Sequence, residues 1–162
     1  MGICLTKGYG LMYKIMFVCH GNICRSPMAE FVLKDIIKKH GAQEKFYVAS
    51  SATSTDELGN GVYPPVKSLL NSKGINTDGK YSVQLTKNDY NKYDIFIGMD
   101  SANIRNMHRI FGSDPENKIK KMMDYTSRGG DVADPWYTRD FNVAYDDIYE
   151  ACLLLFDSVF KK

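Results

Sequence analysis

Apolar residues follow two periodicities along this chain, and the alternation between them predicts its architecture. Tyr13-Lys14-Ile15-Met16-Phe17-Val18 is a short apolar run that stops at a glycine-containing turn, His20-Gly21-Asn22, and reads as a buried strand. Ser26-Pro27 follows, a capping residue and a proline suited to the first helical position, with Glu30 in the opening turns. Met28, Phe31, Val32 and Ile36 then recur at helical spacing up to His40-Gly41, a natural stop. Phe46-Tyr47-Val48-Ala49-Ser50 predicts a second strand, residues 51–61 a polar loop, and Pro64 to Lys73 a helix stopped at Gly74. Asp94-Ile95-Phe96-Ile97-Gly98-Met99 is the clearest central strand, apolar almost throughout, as a sheet covered on both faces demands. Asp100-Ser101 can cap a helix running to Gly112, and Ile119 to Met123 is a weaker strand. The last helix begins at Thr138 or Asp140, with Phe141, Ala144, Tyr145, Ile148, Ala151, Cys152, Leu155, Phe156 and Val159 in one stripe.

Strands alternating with helices predict an α/β fold. The expectation is a single domain with a central parallel sheet of about four strands and helices on both faces. Ligands of such folds bind beyond the carboxyl ends of the strands, where the loop after Val18 sits. No repeat, low-complexity stretch or inter-domain linker interrupts the pattern.

Composition changes this picture little. A net charge of +2, with Lys and Arg scattered through the chain, gives no reason to expect nucleic acid or a membrane surface as partner. The four cysteines, Cys4, Cys19, Cys24 and Cys152, match neither a disulfide framework nor a zinc site, and the only histidines are His20, His40 and His108. Neither metal nor cofactor is expected. No apolar run approaches the roughly 20 residues of a membrane span, and no secretory h-region opens the chain. A reducing, cytoplasmic setting follows as the default. Met1 to Leu11 precede the patterned sequence and are expected to be a disordered or non-native extension of a domain spanning 12–162. Met1-Gly2-Ile3-Cys4-Leu5-Thr6 does match an N-acylation pattern, with Cys4 as a second lipid site, but so short a motif often matches by chance.

The candidate chemistry sits in Cys19-His20-Gly21-Asn22-Ile23-Cys24-Arg25-Ser26, a C-x5-R-S segment wedged between strand and helix. A loop of this length at a helix N-terminus aims successive N–H groups inward, a nest for a tetrahedral anion. Gly21 lets the backbone turn and approach closely, and Asn22 tolerates a left-handed conformation. Arg25 can grip two phosphate oxygens with its fork. The N–H groups, the helix dipole and Arg25 also stabilise a Cys19 thiolate, making it a nucleophile toward phosphorus. Taken alone, Cys19 reads equally well as a small buried apolar residue and Arg25 as a surface charge; their joint context favours the anion site. Asp134-Pro135-Trp136-Tyr137 supplies the second piece, an aspartate held extended before proline and flanked by aromatic rings. It can protonate a leaving oxygen and then activate water, although Asp-Pro by itself is a common turn signal.

Together these segments resemble the low-molecular-weight protein tyrosine phosphatase family. The likeness runs from Tyr13 to about Phe160 and takes in Ser50-Ser51-Ala52-Thr53, Gln84-Leu85-Thr86, and Met99-Asp100 with Asn103. It implies hydrolysis of phosphotyrosine through a phosphocysteine, with tyrosine-phosphorylated proteins as substrates and inorganic phosphate as product. By the same likeness Cys19 is the nucleophile, Arg25 the phosphate clamp and Asp134 the general acid and base. His20, Gly21, Asn22, Ile23, Cys24 and Ser26 form the phosphate-binding loop. Asn22, Ser26 and Ser51 are its hydrogen-bonding supports, Asp100 stands near the loop arginine, and Trp136 and Tyr137 form the rim. Two departures stand out. Asp78 to Gln84 lacks the family's histidine ahead of its A-R-Q segment, which removes an expected partner for Asn22. Asp56 and Glu57 replace a frequent rim aromatic, so basic residues flanking the phosphotyrosine are expected to be favoured. Cys24 shares the loop with Cys19 and could trap its sulfenic acid as a disulfide.

Other readings of the loop fare worse. Phosphatases with an H-C-x-x-G-x-x-R signature keep their acid upstream. Arsenate reductases on this fold need further cysteines, and none lies between Cys24 and Cys152. Arginine phosphatases of the family carry threonine at the Ile23 position. An inactive phosphate-binding module would not need Cys19, Arg25 and Asp134 together. The oligomeric state is left open by the sequence.

Overall fold

The computed structural model describes residues 12–160. The expectations for Met1 to Leu11, including the acylation motif, lie outside them. The strands are β1 (Tyr13–Cys19), β2 (Phe46–Ala52), β3 (Ile95–Gly98) and β4 (Ile119–Lys121). The helices are α1 (Arg25–Lys39), α2 (Pro64–Ser72), α3 (Ser101–Phe111), α4 (Pro135–Thr138) and α5 (Phe141–Phe160). All strand pairs are parallel, in the order β2-β1-β3-β4. The chain steps from β1 to one edge, then crosses back to β3 and β4, so the winding reverses beside β1. An open crevice forms at such a reversal, at the carboxyl ends of the strands.

Burial explains the apolar strands. Tyr13, Ile15, Phe17 and Cys19 join Ile95 and Ile97 in the larger core, beneath α1 and α5. Met16, Val18 and Phe96 point the other way, into a smaller core closed by Met107 and Phe111 of α3. With both faces covered, neither parity of β1 is free to be polar.

Two boundaries differ from expectation, each for a physical reason. Ser26 lies inside α1 rather than capping it, because its hydroxyl is turned to the cysteine loop; Cys24 holds the cap position with no side-chain bond. A side-chain cap there would occupy the N–H groups that an anion needs. The last strand ends at Lys121 and becomes a 3-10 turn, Met122–Tyr125. Met122 and Met123 are both buried in the same core, which strand alternation forbids and a tight turn allows. A second 3-10 turn, Lys87–Asn91, is closed by reciprocal bonds between Thr86 and Asp89. Asp100 caps α3 as expected: its carboxylate accepts from Asn103 N–H, while the Asn103 side chain accepts from Asp100 N–H.

Candidate active site

Cys19 ends β1 and the following loop folds back over it. Asn22 takes the left-handed conformation, at φ 58°, and directs its N–H to Cys19 Sγ at 3.3 Å. Gly21 serves differently from the expected turn. Its φ is ordinary, and a Cβ there would lie 3.2 Å from Glu57 Cγ. Glycine at 21 therefore lets the 56–57 loop close over the phosphate loop. The whole segment is tightly held: Cys19 and Arg25 are 3% exposed, Asn22 1% and Ser26 0%.

Behind the sulfur lies a chain of directed hydrogen bonds. Asn22 Oδ1 accepts from Val83 N–H at 3.2 Å, and since that backbone group can only donate, the amide orientation is fixed. The Asn22 amide nitrogen then donates to Ser26 Oγ at 2.8 Å and to Ser50 Oγ at 2.9 Å. Ser50 passes its own proton to Glu30 Oε1 at 2.6 Å. Ser26 Oγ, which accepts from Asn22, lies 3.0 Å from Cys19 Sγ and can turn its proton toward a thiolate there. The Asn22 N–H and the Ser26 hydroxyl are the two groups of this chain that meet the sulfur. The supporting hydroxyl expected of Ser51 belongs instead to Ser50; Ser51 Oγ is buried with no hydrogen-bond partner. Ser50 pairs with Phe17 in the sheet and so faces α1, whereas Ser51 pairs with Val18 and faces the opposite core.

Arg25 opens α1 and reaches across the cleft. Nη1 donates to Asp100 Oδ2 at 2.8 Å and to Val132 O at 2.9 Å, while Nη2 stands 3.4 Å from Asp134 Oδ2. Val132 N–H in turn donates to Met99 O at 2.9 Å, hanging the acid loop on the end of β3. This contact was not visible in the sequence. Asp134 is extended, accepts from Trp136 N–H at 3.0 Å and starts the short α4. Burial works against charge on Arg25, but Cys19, then Asp100 and Asp134, hold its guanidinium protonated above the ordinary range. Burial likewise opposes ionisation of Asp100; Asn103 N–H and Arg25 outweigh it and keep the carboxyl below its usual value. Burial, then Cys19 and Asp134, push the Cys24 thiol well up. The cleft encloses about 190 Å³. It brings together every expected catalytic and rim residue: Cys19 to Arg25, Asp56, Glu57, Asp134, Trp136 and Tyr137.

Residues 14–162 match the family model for low molecular weight phosphotyrosine protein phosphatase. The chain belongs to this family. It is 33% identical over 153 residues to the low molecular weight protein-tyrosine-phosphatase YfkJ of Bacillus subtilis, covering 93% of this chain and 98% of that one. The crystal structure of YfkJ superposes with a TM-score of 0.91 at 34% identity, over 95% of this chain and 98% of the other. PtpA of Staphylococcus aureus, also named a low molecular weight protein-tyrosine-phosphatase, is 32% identical over 151 residues, 93% of this chain and 96% of its own. The crystal structure of DARP, a Drosophila arginine phosphatase, shares the fold at TM-score 0.83 and 27% identity, over 92% and 98% of the two chains.

Within the low molecular weight phosphatase fold, the two departures take definite form. Lys80 fills the region of the missing histidine, its Nζ donating to Ser50 O at 2.8 Å and lying 3.6 Å from Glu30 Oε1. Burial pulls the Lys80 ammonium below its usual range, with Glu30 opposing. Asn22, left without a histidine partner, takes Val83 N–H instead. At the mouth, the two carboxylates are less free than expected. Asp56 Oδ2 meets His20 Nε2 at 2.8 Å, and Glu57 Oε1 accepts from Asn60 at 2.8 Å.

Proposed function

We propose that this chain is a protein tyrosine phosphatase acting through a phosphocysteine. The single observation that carries the reading is the placement of Cys19 Sγ under two donors, Asn22 N–H and Ser26 Oγ, in one cleft with Arg25 and Asp134. Substrate phosphate enters the nest of loop N–H groups. Arg25, anchored on Nη1 by Asp100 and Val132, turns Nη2 toward the equatorial oxygens. Cys19 thiolate attacks phosphorus, the P–O bond to the tyrosine ring breaks, and Asp134 gives its proton to the leaving phenolate oxygen. The resulting Asp134 carboxylate takes a proton from water as that water attacks the phosphocysteine. The S–P bond breaks, inorganic phosphate leaves and the Cys19 thiolate returns.

Trp136 and Tyr137, 45% and 82% exposed, flank the opening and suit an aromatic ring held above the loop. Ile23 lines the cleft where the related arginine phosphatases carry threonine, which supports an aryl substrate over phosphoarginine. Among the described residues a disulfide relay of the arsenate reductase kind has no support, since outside the phosphate loop the cysteine is Cys152, fully buried between α5 and α1 with its thiol on Ala29 O. The proposed setting is the reducing cytoplasm, where Cys19 stays reduced; tyrosine-phosphorylated proteins are the substrates. Steady-state assay of phosphotyrosine, phosphoserine and phosphoarginine peptides tests the reading, together with Cys19→Ser. Turnover should be confined to the aryl ester and vanish in Cys19→Ser, while vanadate still binds. Turnover surviving that substitution would overturn the mechanism.

A further inference from the structure

Arg139 follows the rim residues Trp136 and Tyr137 and is bonded to the first of them. Its backbone is left-handed, at φ 60° and ψ 15°, one of three non-glycine residues with positive φ among those described. Asn22 and Asn117 are the other two, and asparagine tolerates that region; arginine has no such excuse. Strain retained at the edge of a cleft is a reason to ask what the side chain does there. The guanidinium is pre-organised rather than loose. It lies over the rings of Tyr63 and Phe141, 5.6 and 5.3 Å from their centroids, and Nη1 donates to Tyr63 OH at 3.1 Å and Trp136 O at 3.4 Å. Tyr63 packs on the rim residue Trp136, with centroids 4.9 Å apart, and its N–H donates to Ile23 O of the phosphate loop. The Arg139 charge also acts on the Cys24 thiol. Yet among the described residues no carboxylate lies within ion-pair distance of it.

We infer that Arg139 is a specificity-determining residue that receives an anionic side chain flanking the phosphotyrosine of the substrate. The inference rests on the phosphatase reading. The mouth then has two electrical sides. Asp56 and Glu57 flank the His20–Gly21 side of the loop, and Arg139 flanks the Ile23–Cys24 side. A peptide with an acidic residue on one side of the phosphotyrosine fits in one direction only. A carboxylate and a second phosphate would satisfy Arg139 alike.

The test compares kcat/KM for matched phosphotyrosine peptides carrying alanine, glutamate or phosphoserine on the amino side or on the carboxyl side, with phenyl phosphate as the unflanked substrate. At low salt one of the two acidic placements should exceed the alanine peptide by about two- to fivefold, the range of an exposed ion pair. The advantage should fade as salt rises. The phosphoserine arm shows whether phosphate or carboxylate is preferred. Arg139→Gln should bring the acidic-to-neutral ratio to one, and Arg139→Lys should keep part of it. Arg139→Gly, which adopts the left-handed backbone without strain, should also bring the ratio to one and guards against a variant that misfolds. No acidic preference in the parent, or a preference that survives Arg139→Gln or Arg139→Gly, overturns the inference. So does a uniform loss on all peptides, which would make Arg139 a brace for Trp136 only. Activity on phenyl phosphate without acidic preference defeats the Arg139 inference alone; inactivity on phenyl phosphate and peptides defeats the phosphatase reading with it.

Discussion

Ser50→Ala and Ser51→Ala should part company, although they delete the same atom from adjacent residues. The Ser50 hydroxyl accepts from Asn22 and donates to Glu30, and all three residues are buried, at 1%, 1% and 5% exposure. Its removal strands one N–H of Asn22, at a cost of about 1–3 kcal/mol for an unsatisfied buried group. It also takes one bond from the Glu30 carboxylate, which keeps Lys34 and Lys80. A net loss of about 2 kcal/mol follows, which for a chain of this size lowers Tm by roughly 4–8 °C. Ser51 Oγ, by contrast, is buried without a partner, so Ser51→Ala should be neutral or raise Tm by about 1–3 °C. The same contrast should appear in function. Loss of Ser50 frees Asn22 from one of its anchors, and alkylation of Cys19 by iodoacetamide at neutral pH should slow several-fold. Ser51→Ala should alkylate like the parent. Thermal denaturation with a timed alkylation series decides it. Equal loss in both variants, or the larger loss in Ser51→Ala, would refute the directed chain from Glu30 to Cys19.

Three further outcomes follow from the same geometry. Asp134→Ala should lose about 10²–10⁴-fold in turnover on phosphotyrosine and much less on aryl phosphates with good leaving groups; an equal loss on both would take the acid role from Asp134. Burial keeps the Cys24 thiol protonated, so peroxide should oxidise Cys19 first and Cys24 should then close the disulfide. Cys24→Ser should therefore recover less activity on reduction, and full recovery would mean that no protective disulfide forms. Asp56→Asn/Glu57→Gln should weaken any preference for basic flanking residues by no more than about fivefold, because His20 and Asn60 already occupy part of both carboxylates. Matched basic and neutral phosphopeptides measure it, and an undiminished preference would show that these carboxylates do not select substrate.

The strand–loop–helix around Cys19 was legible because each signal there is local: an apolar run, a turn, a proline at the helix start. The α3 cap was legible for the same reason, from Asp100-Ser101 directly after the apolar strand, and the structure adds the reciprocal bond from Asn103. The choice between Ser50 and Ser51 went wrong at the sequence level, yet parity could have corrected it. Phe46, Val48 and Ser50 share one face of β2, and Phe46 and Val48 belong to the core under α1. Glu30 reads as an ordinary carboxylate in the opening turns of a helix, and its burial is made tolerable by Ser50 and Lys34 together with Lys80, which approaches along a loop some fifty residues later in the sequence. Val132 hangs the acid loop on Met99 and Arg25 through its backbone N–H and C=O. Side-chain patterns say nothing of such a contact.

The central claim is that phosphate passes through the Cys19 sulfur. Asp134→Ala, lacking the group that activates water, should accumulate that species when mixed with an aryl phosphate bearing a good leaving group. Acid quenching within the first turnover, followed by mass spectrometry of the peptide containing Cys19, measures it directly. The account predicts one phosphoryl group on Cys19, appearing in step with a burst of released phenol and absent from Cys19→Ser. A burst of phenol with Cys19 unmodified, or with phosphate on another residue, would contradict it.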